Sequence, residues 1–193
     1  MNPMSRPAQT GLLIALMVVM VATRFNHIGS WMHLPDASMA VFFTGGLLLR
    51  RHLHFVVLVL LSVAIDWAAV SIAGVSSFCI TVAYSLLPVA YAVLWYGGRA
   101  FAPYLSTRPR SILLAWGVGV LAAALSFLVS NGAFYWLGGR YPHPHMAEYL
   151  ARAWQWGPLF VRTTASYIAV ALLLHELVSW RQAARAASRG AAA

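Results

Sequence analysis

Residues 53–72 read LHFVVLVLLSVAIDWAAVSI, twenty positions in which Asp66 is the one formal charge. Twenty helical residues rise about 30 Å, the thickness of a bilayer's hydrocarbon core. Working outward, Arg50-Arg51 precede this run, and the short turn Gly74–Ser77 follows it. A second apolar stretch, Phe78–Tyr96, carries Pro88 as an expected kink and closes on Gly97-Gly98-Arg99. Upstream lie Ala37–Leu49 and Gly11–Ala22. Downstream lie Ser111–Val129, a polar connection from Ser130 to about Ala151, and a last run to Trp180 interrupted by Gly157-Pro158 and Arg162. The expected fold is all-α: a bundle of six transmembrane helices over approximately 10–28, 35–49, 53–72, 78–96, 111–130 and 153–180, forming one integral membrane domain over 1–193. Met20-Val21-Ala22 is a poor cleavage site, so the first helix is expected to be retained.

Composition excludes the other classes. Of 193 residues, 61% are hydrophobic and 9% charged, with 13 basic and 4 acidic side chains. Soluble domains carry about a quarter charged residues, and disordered chains have far fewer apolar ones. Lysine is absent, so the formal charge of +9 comes from arginines in short segments between apolar runs. That pattern reads as topology information rather than as a nucleic-acid footprint. In a six-span arrangement nine arginines fall on the side of the N-terminus and three (Arg24, Arg140, Arg152) on the other, with Arg162 inside the last helix. Both termini are therefore expected in the cytoplasm. Gly11 with Ala15, and Gly117 with the alanines at 122–124, read as helix-packing surfaces.

Several residues ask for a reason beyond folding. Asp66 stands some 14 residues into its helix, about 21 Å up, where an unpaired carboxylate is costly. Cys79, the single cysteine, excludes an intrachain disulfide and a four-cysteine cluster. It is expected in the first turn of helix four, where the dipole favours thiolate. His27, Tyr84 and Arg152 are expected at the same depth, with Arg152 able to pair with Asp66. Trp67, Trp154 and Trp156 read as interfacial anchors that could also line a large planar ligand. His175-Glu176-Leu177-Val178-Ser179 begins like a zinc-protease motif but lacks the second histidine. His143 and His145 are two ligands without a scaffold. The sequence has no P-loop, dinucleotide fingerprint or serine-hydrolase elbow.

Thr23-Arg24-Phe25-Asn26-His27, Asp66-Trp67 and Ser76-Ser77-Phe78-Cys79-Ile80-Thr81-Val82-Ala83-Tyr84 together resemble the BtuM family, small bacterial membrane proteins related to the S-components of energy-coupling factor (ECF) vitamin transporters. The resemblance spans nearly the whole chain. It implies cobalamin (vitamin B12) binding in a periplasm-facing cavity and uptake across the inner membrane. It also implies Cys79 as the cobalt ligand, with His27, Asp66, Trp67, Tyr84 and Arg152 around the corrinoid. A thiolate suits a transition metal already held by a macrocycle, and its binding makes removal of cyanide from cyanocobalamin a further expected activity of Cys79. Gly11, Ala15 and Val19 give a loose version of the small-residue motif with which S-components dock a coupling module, so both an ECF partner and a solitary protein stay open. The alternatives are a membrane enzyme that removes the upper corrinoid ligand, and a structural subunit with no ligand.

Overall fold

The computed structural model describes residues 5–24, 34–49 and 51–190. Six helices follow in order: α1 (Arg6–Arg24), α2 (Ser38–Leu48), α3 (His52–Ser71), α4 (Leu87–Phe101), α5 (Pro109–Leu137) and α6 (Met146–Gly190). Three short 3-10 turns, Ser77–Cys79, Val82–Leu86 and Ala102–Tyr104, lie between α3 and α5. The chain is an all-α six-helix bundle. Four helices, α1, α3, α5 and α6, are long and apolar enough to cross a membrane. It is a multi-pass membrane protein.

α2 is short and forms the axis of the bundle, with nine of its eleven residues buried. It touches each of the other five helices. Phe42 and Phe43 are fully enclosed, together with Met20 of α1, Leu58 of α3, Leu94 and Trp95 of α4, and Ile168 of α6. Small residues allow this closeness: a Cβ on Gly46 would collide with the Trp95 carbonyl, and one on Gly98 with the Phe43 carbonyl. Among the expected packing surfaces, Ala122 and Ala123 are buried, and a Cβ on Gly97 would press on Ala122. Gly11 and Gly117 instead face open space. The outer surface is apolar. On α3, Leu53, Val56, Leu60, Val63 and Trp67 form one exposed stripe at alternating three- and four-residue spacing, a face suited to lipid acyl chains.

Helix four begins later than its apolar run suggests. Residues 78–86 form two 3-10 turns, and α4 starts at Leu87 with Pro88 in its first turn. Proline is well placed there because its missing N–H would have no intrahelical partner. It starts the helix and does not kink it. At the other connection the helices are longer than the sequence pattern indicates. α5 continues to Leu137 and α6 starts at Met146, since the Tyr135 hydroxyl accepts from His145 N at 2.9 Å and donates to Glu148 Oε2 at 2.9 Å. Gly139, at φ +68°, makes the turn between them. α6 runs through Pro158 for 45 residues, about 67 Å, so it projects beyond any bilayer's hydrocarbon core.

Candidate functional site

Because successive spans alternate in direction, the end of α1, the start of α2, the later part of α3, the start of α4, the end of α5 and the start of α6 meet at one end of the bundle. Arg51, Arg99, Arg108, Arg110, Arg181 and Arg185 belong to the opposite end. At the first end a polar network is built around Arg24, the last residue of α1. Its Nε donates to Asp66 Oδ1 and its Nη2 to Asp66 Oδ2, both at 2.6 Å. Its Nη1 reaches the Tyr91 hydroxyl at 2.7 Å, Ser38 Oγ at 3.0 Å and Asp36 Oδ2 at 3.3 Å. The Tyr84 hydroxyl donates to Asp66 Oδ2 at 2.6 Å. Asp36 Oδ1 in turn accepts from the backbone N–H and the hydroxyl of Ser38, fixing the start of α2.

The fork of two parallel bonds between Arg24 and Asp66 is the strongest geometry open to that pair. The Arg24 side chain is only 10% exposed and that of Asp66 22%. At that burial the ion pair is held by its full complement of hydrogen bonds, and loss of either partner strands a charge. Tyr91 stacks on Phe42, with ring centroids 4.1 Å apart, and so couples the network to the α2 axis. Below the network, Ser62, Tyr84, Ser85 and Tyr91 help line a cavity of about 220 Å³ between α3 and α4.

Two of the residues singled out from the sequence, Asp66 and Tyr84, come together directly. Arg152 does not join them: its guanidinium lies over the Tyr141 ring at 4.6 Å, and the place foreseen for it on Asp66 belongs to Arg24. Trp67 points along the exposed stripe of α3, 64% exposed, and Trp154 is 81% exposed. His27 lies outside the described residues. Cys79 ends the turn Ser77–Cys79, not the first turn of a helix, and α4 starts only at Leu87. The dipole expected to favour its thiolate is therefore missing from that position. The turn itself is held: Ser76 Oγ accepts from Phe78 N at 3.2 Å, and Arg140 Nη2 donates to the Phe78 carbonyl at 3.1 Å. The Cys79 side chain is outside the described residues.

Sequence reasoning missed Arg24, Asp36, Ser38 and Tyr91. Arg24 counted as a topology marker and as part of a quoted motif, not as the partner of Asp66, although it closes an apolar run on the same side. Tyr84 and Tyr91, seven residues apart, carried the signal of a shared face. Among the described residues, no group of three or more histidine, cysteine, aspartate or glutamate side chains is arranged to hold a metal ion. No protein-family model matches the chain, and neither does any curated protein.

Proposed function

We propose that the chain binds cobalamin at the Asp66–Tyr84 end of the bundle, with cobalt ligated by the Cys79 thiolate, and mediates its uptake across the bacterial inner membrane. The reading is carried by the 2.6 Å bond from the Tyr84 hydroxyl to Asp66. It ties the helix bearing Asp66 to the short segment that also bears Cys79. Three residues implied by the family resemblance thus belong to one end of an otherwise apolar bundle. The corrin ring occupies four cobalt positions, so one soft protein ligand suffices. A cavity of about 220 Å³ is below the usual size for drug-sized ligands, and a corrinoid is larger still. In this reading the ring therefore lies above the Asp66–Tyr84 level and not inside that cavity.

The arginine-rich end is cytoplasmic by the positive-inside rule, which leaves the candidate site facing the periplasm. Gly11, Ala15 and Val19 are on the exposed side of α1. That face serves either an ECF-type coupling subunit or, in a solitary protein, lipid. Thiolate binding also loosens the group on the opposite face of cobalt. Reductive decyanation takes one electron per cobalt(III) from an external thiol and leaves cobalt(II) and free cyanide. The corrinoid carries that chemistry, and the protein supplies the ligand and the surroundings.

Protein purified in the presence of cobalamin should carry the visible corrin absorption through size-exclusion chromatography. Binding of thiamine or biotin with no corrinoid bound would refute the assignment.

A further inference from the structure

Arg162 lies in the apolar part of α6 and lines a second cavity, about 290 Å³, with Pro35, Thr163, Ser166, Tyr167 and Val170. The chain has four acidic residues, and none of them forms an ion pair with it, although Asp36, next to Pro35, stands near the cavity. Asp36 and Asp66 are bound to Arg24, and Glu148 accepts from Tyr135. Glu176 lies 14 residues further along the same helix, about 21 Å away. Among the described residues no side chain forms an ion pair with the Arg162 guanidinium. The Arg162 side chain is exposed, so an anion from outside the chain has free access to its guanidinium.

The geometry narrows the kind of anion. Helical side chains tilt toward the N-terminus of their helix, and α6 begins at the Asp66–Tyr84 end, so Arg162 leans toward that rim. The Tyr167 hydroxyl donates to the Pro35 carbonyl at 2.9 Å, which pins α6 to the segment before α2 and gives the groove a fixed wall. Ser166 spends its proton on the Arg162 carbonyl at 3.0 Å. The guanidinium fork and the Thr163 hydroxyl are left as donors, beside the apolar surface of Val170 and the Tyr167 ring. A guanidinium fork fits two oxygens of one phosphate, and the apolar wall fits an ester substituent.

We infer that the Arg162–Thr163 groove is a binding site for a phosphodiester monoanion. Two sources carry that chemistry: a phospholipid headgroup, and the nucleotide loop of a corrinoid. Only the second rests on the cobalamin reading.

The test uses the full chain and its Arg162→Gln variant in a maltoside detergent, which contains no phosphate. In one arm, short-chain phosphatidylglycerol is titrated against diacylglycerol of the same chain length, and the melting temperature is followed. In the other, affinity for cobalamin is compared with that for cobinamide, which lacks the phosphodiester. Because Arg162 has no internal partner, the variant should melt like the parent before any addition. The parent should prefer the phosphodiester-bearing compound in at least one arm. That preference should fall about tenfold in Arg162→Gln, as for loss of a charge-assisted hydrogen bond, and recover in part in Arg162→Lys. Loss confined to the lipid arm identifies the headgroup as the source, and loss confined to the corrinoid arm identifies the nucleotide loop. An equal phosphodiester preference in parent and variant in both arms overturns the proposal. If the parent binds neither corrinoid, the cobalamin reading fails while the lipid arm still decides this one.

Discussion

Arg24 and Arg152 belong to the same end of the bundle, yet their charges are met in different ways. Among α1–α4, Arg24 is enclosed and gripped by Asp66 and Asp36, with Tyr91 and Ser38 completing its shell. On the α5–α6 hairpin, Arg152 lies half-buried over Tyr141, and Arg140 lies over Phe78 at 4.8 Å. Depth accounts for the contrast. A guanidinium 10% exposed must be matched by carboxylate, because an aromatic face offers a fraction of the solvation it loses. At the rim, water remains available and a ring is enough. The deep arginine organises four helices, whereas the rim arginines fasten loops.

The largest effect should come from breaking the deep pair. Arg24→Ala or Asp66→Ala leaves a buried charge without its partner and should destabilise the bundle by about 3–5 kcal/mol, read by denaturation in detergent. A double-mutant cycle sharpens the comparison. Arg24 and Asp66 should couple strongly, while Asp66 and Arg152 should be additive to within about 0.5 kcal/mol. Strong coupling between Asp66 and Arg152 would remove the distinction drawn between the two regions. Tyr84→Phe removes one hydrogen bond to a carboxylate and should cost about 1.5–3 kcal/mol, without disturbing α4 beyond Leu87. Arg152→Gln should cost least, about 0.5–1 kcal/mol for an interaction with a ring near the surface.

The sequence showed α2 and α3 closely, because each apolar run there is bounded by arginine or by a turn: Ser38–Leu48 and His52–Ser71 match the expected 35–49 and 53–72 to within a few residues. It did not show where α4 starts. Phe78–Ala83 is apolar enough to pass for helix, and the break depends on Pro88 at the first turn and on the Thr81 carbonyl accepting from Tyr84 N. The long ends of α5 and α6 were hidden for the opposite reason. Ser130, Asn131 and Glu148 read as loop, but Tyr135 satisfies His145 and Glu148 across the turn. At the site, Asp66 and Tyr84 were legible as a costly carboxylate and a phenol at one depth. Arg24 was not, since a pairing between residues 42 positions apart depends on how the helices pack, and three arginines had equal claims on that side.

The central claim, cobalt ligation by Cys79, is tested most directly by the absorption spectrum of the corrinoid-loaded protein and its Cys79→Ser variant. Serine keeps the size of the side chain but offers a harder, far less acidic oxygen. The variant is predicted to lose the thiolate-type spectrum and any release of cyanide, while keeping weak corrinoid binding through the surrounding contacts. A spectrum and decyanation rate equal to those of the parent would contradict ligation of cobalt by this sulfur.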